Sequence, residues 1–346
     1  MKSIKFLGAA GTVTGSGYIL TSNSGSSILI DLGMFQGPPE IEQLNQNPVD
    51  MRAGELDAVI LTHAHLDHCG RLPLATKGGF KGNFYMTAAT ADLTEVVLLD
   101  AEKIARRDLD KEPLYTYEDV VQTIPQIKIV KYHERFKAGD FEIEMVDAGH
   151  LLGSASLIIK EGGKTIVFSG DLGNSPQLLV APTEHVSQAD YVVMETTYGD
   201  REHPDEDSNG ILQEEINITE EEGSVLLIPC FSLNRTQDIL YRIKLLKESG
   251  KVKDETPVFM DSPMGITATE IYLEHKNLFN EDLKKVTTRE NPFDFQNLFS
   301  LRKSRGGKLI KNHKGAKVII AGSGMMTGGR ILSHAAATFH IARIGF

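Results

Sequence analysis

The tightest constraint on this chain is a six-residue run, His63-Ala64-His65-Leu66-Asp67-His68, which directly follows the apolar segment Ala58–Leu61. A buried strand that stops in three imidazoles and a carboxylate places all four side chains at one edge of a sheet. Imidazole and carboxylate together suit Zn²⁺ or a similar divalent ion. Alternate residues of an extended chain point the same way, so His63 and His65 can share one ion. Asp67 and His68, at the entry to the next segment, can face a second. The bland alternative is a solvated loop. It is disfavoured because the whole chain of 346 residues holds only 11 histidines.

A closed metal site draws donors from several strands, and two later positions fit. His150, in Asp147-Ala148-Gly149-His150, follows a strand predicted over Phe141–Val146. Asp171, in Phe168-Ser169-Gly170-Asp171, follows one predicted over Thr165–Phe168. Each sits beside glycine just past a strand end, where backbone can approach closely. Alone each would be unremarkable; beside the histidine run both become candidate ligands.

Before about Gly199 the chain reads as short strands with Gly-rich turns. Further strands are predicted over Ser26–Ile30, Ser156–Lys160 and Tyr191–Met194, with one long helix over Ala88–Arg107 whose last turn carries Arg106 and Arg107. Beyond Gly199, strands over Ser224–Ile228, Pro257–Met260 and Lys317–Ala321 alternate with helical stretches such as Arg235–Ser249. That rhythm predicts a parallel α/β unit. The polar, Gly- and Pro-containing stretch 199–210 is the expected joint. The acidic run Glu220–Glu222 is expected to be a solvated helix end.

Composition narrows the partners. The formal charge is −11, from 36 basic and 47 acidic side chains. Such a chain does not coat nucleic acid by bulk charge, and any nucleic-acid contact must come from metals and a few local Arg and backbone groups. No window of 18 apolar residues occurs, so no membrane span is expected. Cys69 and Cys230 cannot form a disulfide framework and point to a reducing, cytoplasmic location.

His-x-His-x-Asp-His, then a lone His, then a lone Asp, resembles the metallo-β-lactamase superfamily. Further phrases resemble its β-CASP nucleases, which include RNase J and the mRNA 3′-end endonuclease. These are FLGAAGTVTGSG from Phe6, IDLGMFQG around Asp31, HAHLDHCGRLP from His63, GHLLGSAS from Gly149, FSGDLG from Phe168 and METTYGDREH from Met194. Later come PCFSLNRTQDIL from Pro229, DSPMG from Asp261 and SGMMTGGRIL from Ser323. The resemblance implies an α/β fold: a metallo-β-lactamase αββα sandwich over residues 1–203 and an inserted β-CASP parallel α/β domain over 204–346. By matching position it assigns His63, His65 and His150 to one zinc, Asp67 and His68 to a second, and Asp171 to both. Asp31 becomes the buried carboxylate behind the His-rich loop. Asp67 and Glu195 are the catalytic candidates, Glu195 as the acid that supports a catalytic histidine. The implied activity is cleavage of single-stranded RNA, endonucleolytic or also 5′-exonucleolytic, with two metals clamping the phosphate and activating a bridging water. A homodimer is compatible with this reading.

Two histidine phrases that complete the family's site do not occur here. His334 matches a helix position after the SGMMTGGR phrase, and His340 is a poor substitute for either. The expectation is therefore a sandwich lacking its closing segment, a weakened second zinc and impaired turnover, since a lost leaving-group acid costs ~10²–10⁴ in rate. The competing hypotheses are a non-catalytic RNA- or partner-binding member and a small-molecule metallo-hydrolase. Arg235 with Thr236 at a helix start, and Ser323, Gly324 and Arg330 in a Gly-rich loop, are candidate phosphate contacts; a cap and a tight turn are the plainer alternatives. His133, His185, His275 and His313 are expected to be solvated, and Cys69, Met325 and Met326 to be packing residues.

Overall fold

Apolar runs of two kinds build two kinds of sheet. The computed structural model describes residues 1–108, 112–202, 207–302, 306–338 and 342–344. His340 and the expected boundary at 203–204 lie outside the described residues. The chain divides into two units, Met1–Arg201 and Glu202–Phe346.

In the first unit one sheet runs β1 (Ser3–Gly8), β2 (Gly17–Thr21), β3 (Ser27–Ile30), β4 (Ala58–Ile60), β5 (Asn83–Met86), β6 (Ile127–Ile129), in that spatial order. It is antiparallel from β1 to β3 and parallel from β3 to β6. The second sheet comprises β7 (Arg135–Ala138), β8 (Phe141–Asp147), β9 (Ala155–Glu161), β10 (Lys164–Phe168) and β11 (Tyr191–Val193). Only the β10–β11 pair is parallel. Ile28, Ile30 and Ile60 of the first sheet pack against Ile143, Leu157 and Phe168 of the second, forming one core. Each such side chain contributes about 1.5–3 kcal/mol.

Burial shows which faces are covered. Ile28, Leu29 and Ile30 are all wholly buried, so β3 is covered on both sides. The helices Leu72–Lys77, Ala88–Ala105 and Tyr117–Thr123 supply the outer layer, where Leu74, Leu98, Tyr115 and Val120 cluster. Strand β8 instead alternates, with Phe141, Ile143 and Met145 inward and Glu142 and Glu144 half-buried. Among the described residues from Ile127 to Arg201 there is no helix. The long helix begins at Thr87, whose hydroxyl accepts from Thr90 N–H at 3.3 Å. It ends at Ala105, so Arg106 caps it rather than lying within its last turn.

The sheet edges are not alike. Edge strand β1 carries Lys5, β6 carries Lys128, and β7 carries Arg135 and Lys137. Edge strand β11 carries no charge, and Tyr191, Val192 and the adjoining Met194 are more than half exposed.

The second unit is a parallel sheet ordered β14-β13-β15-β12-β16, from β12 (Val225–Pro229), β13 (Val258–Met260), β14 (Leu298–Ser300), β15 (Lys317–Ala321) and β16 (Ala342–Ile344). Helices such as Arg235–Glu248 and Pro263–Glu274 make the crossovers. Two expectations need correction here. Glu221 and Glu222 are exposed at the helix end as expected, but Glu220 is not solvated: its carboxylate accepts from Thr256 hydroxyl at 2.6 Å and Lys253 N–H at 3.1 Å, tying the helix Ser208–Glu222 to a distant loop. Met325 is 68% exposed and does not pack beneath its loop, whereas Met326 does reach the core. Among the described residues no helix is long and apolar enough to cross a membrane.

Candidate metal centre

Asp31 organises the centre. It lies one residue past β3 with φ +54° and is almost wholly buried. Its Oδ1 accepts from Thr62 N–H at 2.8 Å. Its Oδ2 accepts from the Thr62 hydroxyl at 2.9 Å and the Ser16 hydroxyl at 3.1 Å, and lies 2.8 Å from His68 Nδ1. Thr62 thus clamps the end of β4 at the residue before His63. Backbone bonds from Leu32 N–H to His68 O and from Met34 N–H to Leu66 O, both 2.9 Å, fasten the loop after β3 to the short helix Leu66–Cys69. Gly33 sits so close that a Cβ there would come 1.5 Å from Asp67 O. Beneath this loop the buried Arg71 donates through Nε to Gly33 O and stacks on Phe35 at 4.6 Å.

The histidine run, the loop after β8 and the end of β10 converge. His150 Nε2 lies 3.0 Å from His65 Nδ1 and 3.5 Å from Asp171 Oδ2. His63 Nε2 lies 3.6 Å from the same carboxylate oxygen. One donor atom from each of His63, His65, His150 and Asp171 falls within 4.8 Å of all the others. Ligand bonds of 2.0–2.1 Å in a tetrahedron imply donor separations of about 3.4 Å. The His150 loop is held by Thr87 and Thr90, whose hydroxyls donate to Gly153 O at 2.7 and 2.8 Å.

These residues fit a divalent cation. His63 Nε2 is buried with no hydrogen-bond partner, and such an orphan is costly unless something satisfies it. Burial drives His63 well below its ordinary imidazole range and His65 down to about 3, with neighbouring histidines adding to both. Burial lowers His150 as well. Neutral imidazoles are the form that binds metal. His68 behaves oppositely: burial acts to lower it, but Asp171 and Asp31 together raise it well above its ordinary value. Burial would raise Asp171, yet His68 and His63 outweigh it and hold the carboxyl far below its usual range. Asp171 faces two donor sets, since its Oδ1 is 3.1 Å from His68 Nε2 while its Oδ2 serves His63 and His150. Asp67 Oδ2 lies 3.9 Å from His68 Nε2 and belongs with that second set. Cys69 is buried, with its thiol pushed up by burial, and donates to Ala64 O.

Beside these donors lies a cavity of about 340 Å³ lined in part by Phe6, Tyr18, Asp31, His68, Asp171 and Glu195. The Glu195 carboxylate accepts from Leu172 N–H at 3.1 Å and Thr197 N–H at 3.3 Å. In the second unit the candidate phosphate contacts have partners of their own. Arg235 pairs with Asp238 at 3.1 Å, and the buried Thr236 donates to Phe231 O at 2.8 Å. Arg330 pairs with Asp261, whose other oxygen is 2.7 Å from His334 Nε2. Thr62, Ser16 and Asp261 were not among the sequence candidates. Thr62 adjoins His63, and Ser16 and Asp261 lie within the quoted phrases, but the bonds they make are marked by no local pattern.

Related proteins share this arrangement of sequence. The family model described as the Beta-lactamase superfamily domain matches residues 27–220, and that of the Beta-Casp domain matches residues 236–342. Ribonuclease TTHA0252 of Thermus thermophilus is 37% identical over 96% of this chain and 75% of its own length. An RNase J-like protein of Methanocaldococcus jannaschii is 33% identical over 89% of this chain and 68% of its own. Cleavage and polyadenylation specificity factor 73 of Drosophila melanogaster is 29% identical over 94% of this chain but 47% of its own. Among solved structures, a protein of unknown function from Enterococcus faecalis V583 superposes with TM-score 0.52 at 14% identity, covering 92% of this chain and 77% of that one, a likeness of fold. With two sheets facing across one core, a histidine–aspartate centre at their strand ends, a parallel second unit and both family models matched, the chain belongs to the β-CASP branch of the metallo-β-lactamase superfamily.

Proposed function

We propose that this chain hydrolyses phosphodiester bonds of single-stranded RNA with two zinc ions. The observation that carries the reading is the orphaned His63 Nε2, buried and facing three further donors. The names of the relatives, a ribonuclease and an RNase J-like protein, supply the substrate class. In this reading residues 1–203 are the metallo-β-lactamase part and 204–346 the β-CASP part. His63, His65 and His150 hold one ion, Asp67 and His68 the other, and Asp171 both. Bound there, the ions would stabilise charge on the phosphate and supply water acidic enough to ionise near neutral pH.

The chain's own residues prepare that chemistry. Asp31, by accepting from Nδ1 of His68, leaves the Nε2 lone pair free to ligate. Burial keeps His63, His65 and His150 neutral. Glu195, fixed by two backbone N–H groups, is a stationary carboxylate that can orient a proton donor at the cavity wall. Arg235, Thr236, Ser323, Gly324 and Arg330 are the proposed RNA contacts, the side chains of Arg235, Thr236 and Arg330 being held in place by their own partners. A cytoplasmic location and a homodimer belong to the same reading.

One observation favours RNA binding without turnover: among the described residues the second donor set is Asp67, His68 and Asp171, short of a full tetrahedral set. Labelled single-stranded RNA, incubated with and without chelator, separates the two readings. Chelator-sensitive cleavage is expected. Binding without cleavage by zinc-loaded protein would overturn the enzyme reading, and fewer than one ion per chain by elemental analysis would overturn the metal assignment.

A further inference from the structure

Phe6 is an apolar ring in a conspicuous place. Strand alternation puts it on the same face of β1 as Ile4, which packs on the core between the sheets, yet Phe6 is 50% exposed. Its ring meets Tyr18 at 5.4 Å and 87°, and Tyr18 leans on the buried Phe168 at 5.5 Å. The three rings form a ladder from core to solvent. Ser16, two residues before Tyr18, donates its hydroxyl to Asp31, so the strand that carries the ladder is tied to the carboxylate that holds His68.

Phe6 and Tyr18 line the same cavity as His68, Asp171 and Glu195. Apart from the metal donors, this cavity is lined by hydroxyl side chains such as Thr12, Thr196 and Thr197, by the carboxylate of Glu195 and by one aromatic wall. A phosphate gains nothing from that wall, whereas a flat uncharged ring does. We propose that Phe6, backed by Tyr18, is the stacking platform for one unpaired nucleobase beside the bond to be cut, and that it makes the site select single strands. The proposal rests on the ribonuclease reading and names a contact that reading leaves open. Bases inside a duplex are covered on both faces by their neighbours, so only an unpaired nucleotide can offer a face to Phe6. A volume of about 340 Å³ lies at the small end of ligand pockets, suited to one nucleoside rather than a base pair. Stacking is indifferent to base identity, so the platform confers strand selectivity without sequence preference.

The test uses the whole zinc-loaded chain and its Phe6→Ala and Phe6→Trp variants. The probe is a cleavage-resistant phosphorothioate RNA strand with 2-aminopurine placed at successive positions. Wild type and Phe6→Trp are expected to quench one position. Phe6→Ala is expected to lose that quench and to bind about 10- to 100-fold more weakly, with unchanged zinc content. Equal binding by Phe6→Ala, or no position-specific quench in wild type, overturns the platform. Cleavage of ordinary RNA is scored separately. A chain that quenches as expected but never cleaves keeps the platform and loses the ribonuclease reading. A chain that cleaves equally well without Phe6 does the reverse.

Discussion

Replacing Asp31 by Asn preserves shape and removes one charge, and the consequences can be worked from four contacts. Asn Oδ1 can still accept from Thr62 N–H, now at 2.8 Å. The amide NH₂ takes the place of Oδ2, which in the wild type faces the hydroxyls of Ser16 and Thr62 and Nδ1 of His68. Hydroxyls can rotate to accept. His68 can accept at Nδ1 only as the tautomer that carries its proton on Nε2, the nitrogen 3.1 Å from Asp171. An N–H then stands where a lone pair is required. Hydrogen bonds to a charged group are worth about 1.5–3 kcal/mol each, so weakening several of them costs about 3 kcal/mol of stability. The ion held through His68 is expected to bind about 10- to 100-fold more weakly, the usual effect of losing a carboxylate behind a ligating histidine. The ion held by His63, His65 and His150 is expected to keep its affinity. Urea unfolding and zinc competition against a chromophoric chelator read both quantities. Wild-type affinity at both sites with an unchanged unfolding midpoint would refute the tautomer argument.

Gly33→Ala drives a Cβ into Asp67 O, so it is expected to lose stability by more than about 4 kcal/mol or to yield protein unable to retain zinc, checked by thermal melting and elemental analysis. Arg71→Lys keeps the charge but loses the planar stack on Phe35, and urea unfolding is expected to show a loss of about 2 kcal/mol. Burial, reinforced by Glu184, pushes the Asp147 carboxyl up to about 7. Its folded-state value is therefore raised: the stabilisation is complete below about pH 4 and is lost as pH rises through 7, a span worth about 4 kcal/mol. Asp147→Asn should abolish that loss, so unfolding of wild type and variant at pH 4.5 and 7.5 should diverge only if the buried carboxyl ionises.

The centre was legible because each donor lies just past an apolar run: His63 after Ala58–Leu61, His150 after Phe141–Val146, Asp171 after Thr165–Phe168. What braces those donors was not. Ser16 reaches Asp31 across 15 residues and Thr62 across 31, and no local pattern announces either bond. Strands β1, β6 and β7 went unpredicted where lysines and arginines interrupt the apolar period that marks a strand, and β2 and β5, of 5 and 4 residues, were too short to show one. Glu220 reads as solvated inside a run of three glutamates, but its contacts with Lys253 and Thr256, 33 and 36 residues on, bury it. In the second unit the parallel strands β12, β13 and β15 were legible as continuous apolar runs between helices, whereas the pairing of Asp261 with Arg330 and His334 spans about seventy residues.

The uncharged edge at β11 has a consequence for the protein in bulk. Three edges of the first unit carry lysine or arginine, whereas among the described residues β11 offers exposed Tyr191 and Val192 and no charge of its own. Long-range repulsion between copies comes from the molecule's −11 charge. Salt shortens the reach of that repulsion to about 8 Å at physiological ionic strength. Raising ionic strength is therefore expected to act in two opposed senses, loosening any electrostatic hold on RNA while weakening the repulsion that keeps the β11 edges of separate copies apart.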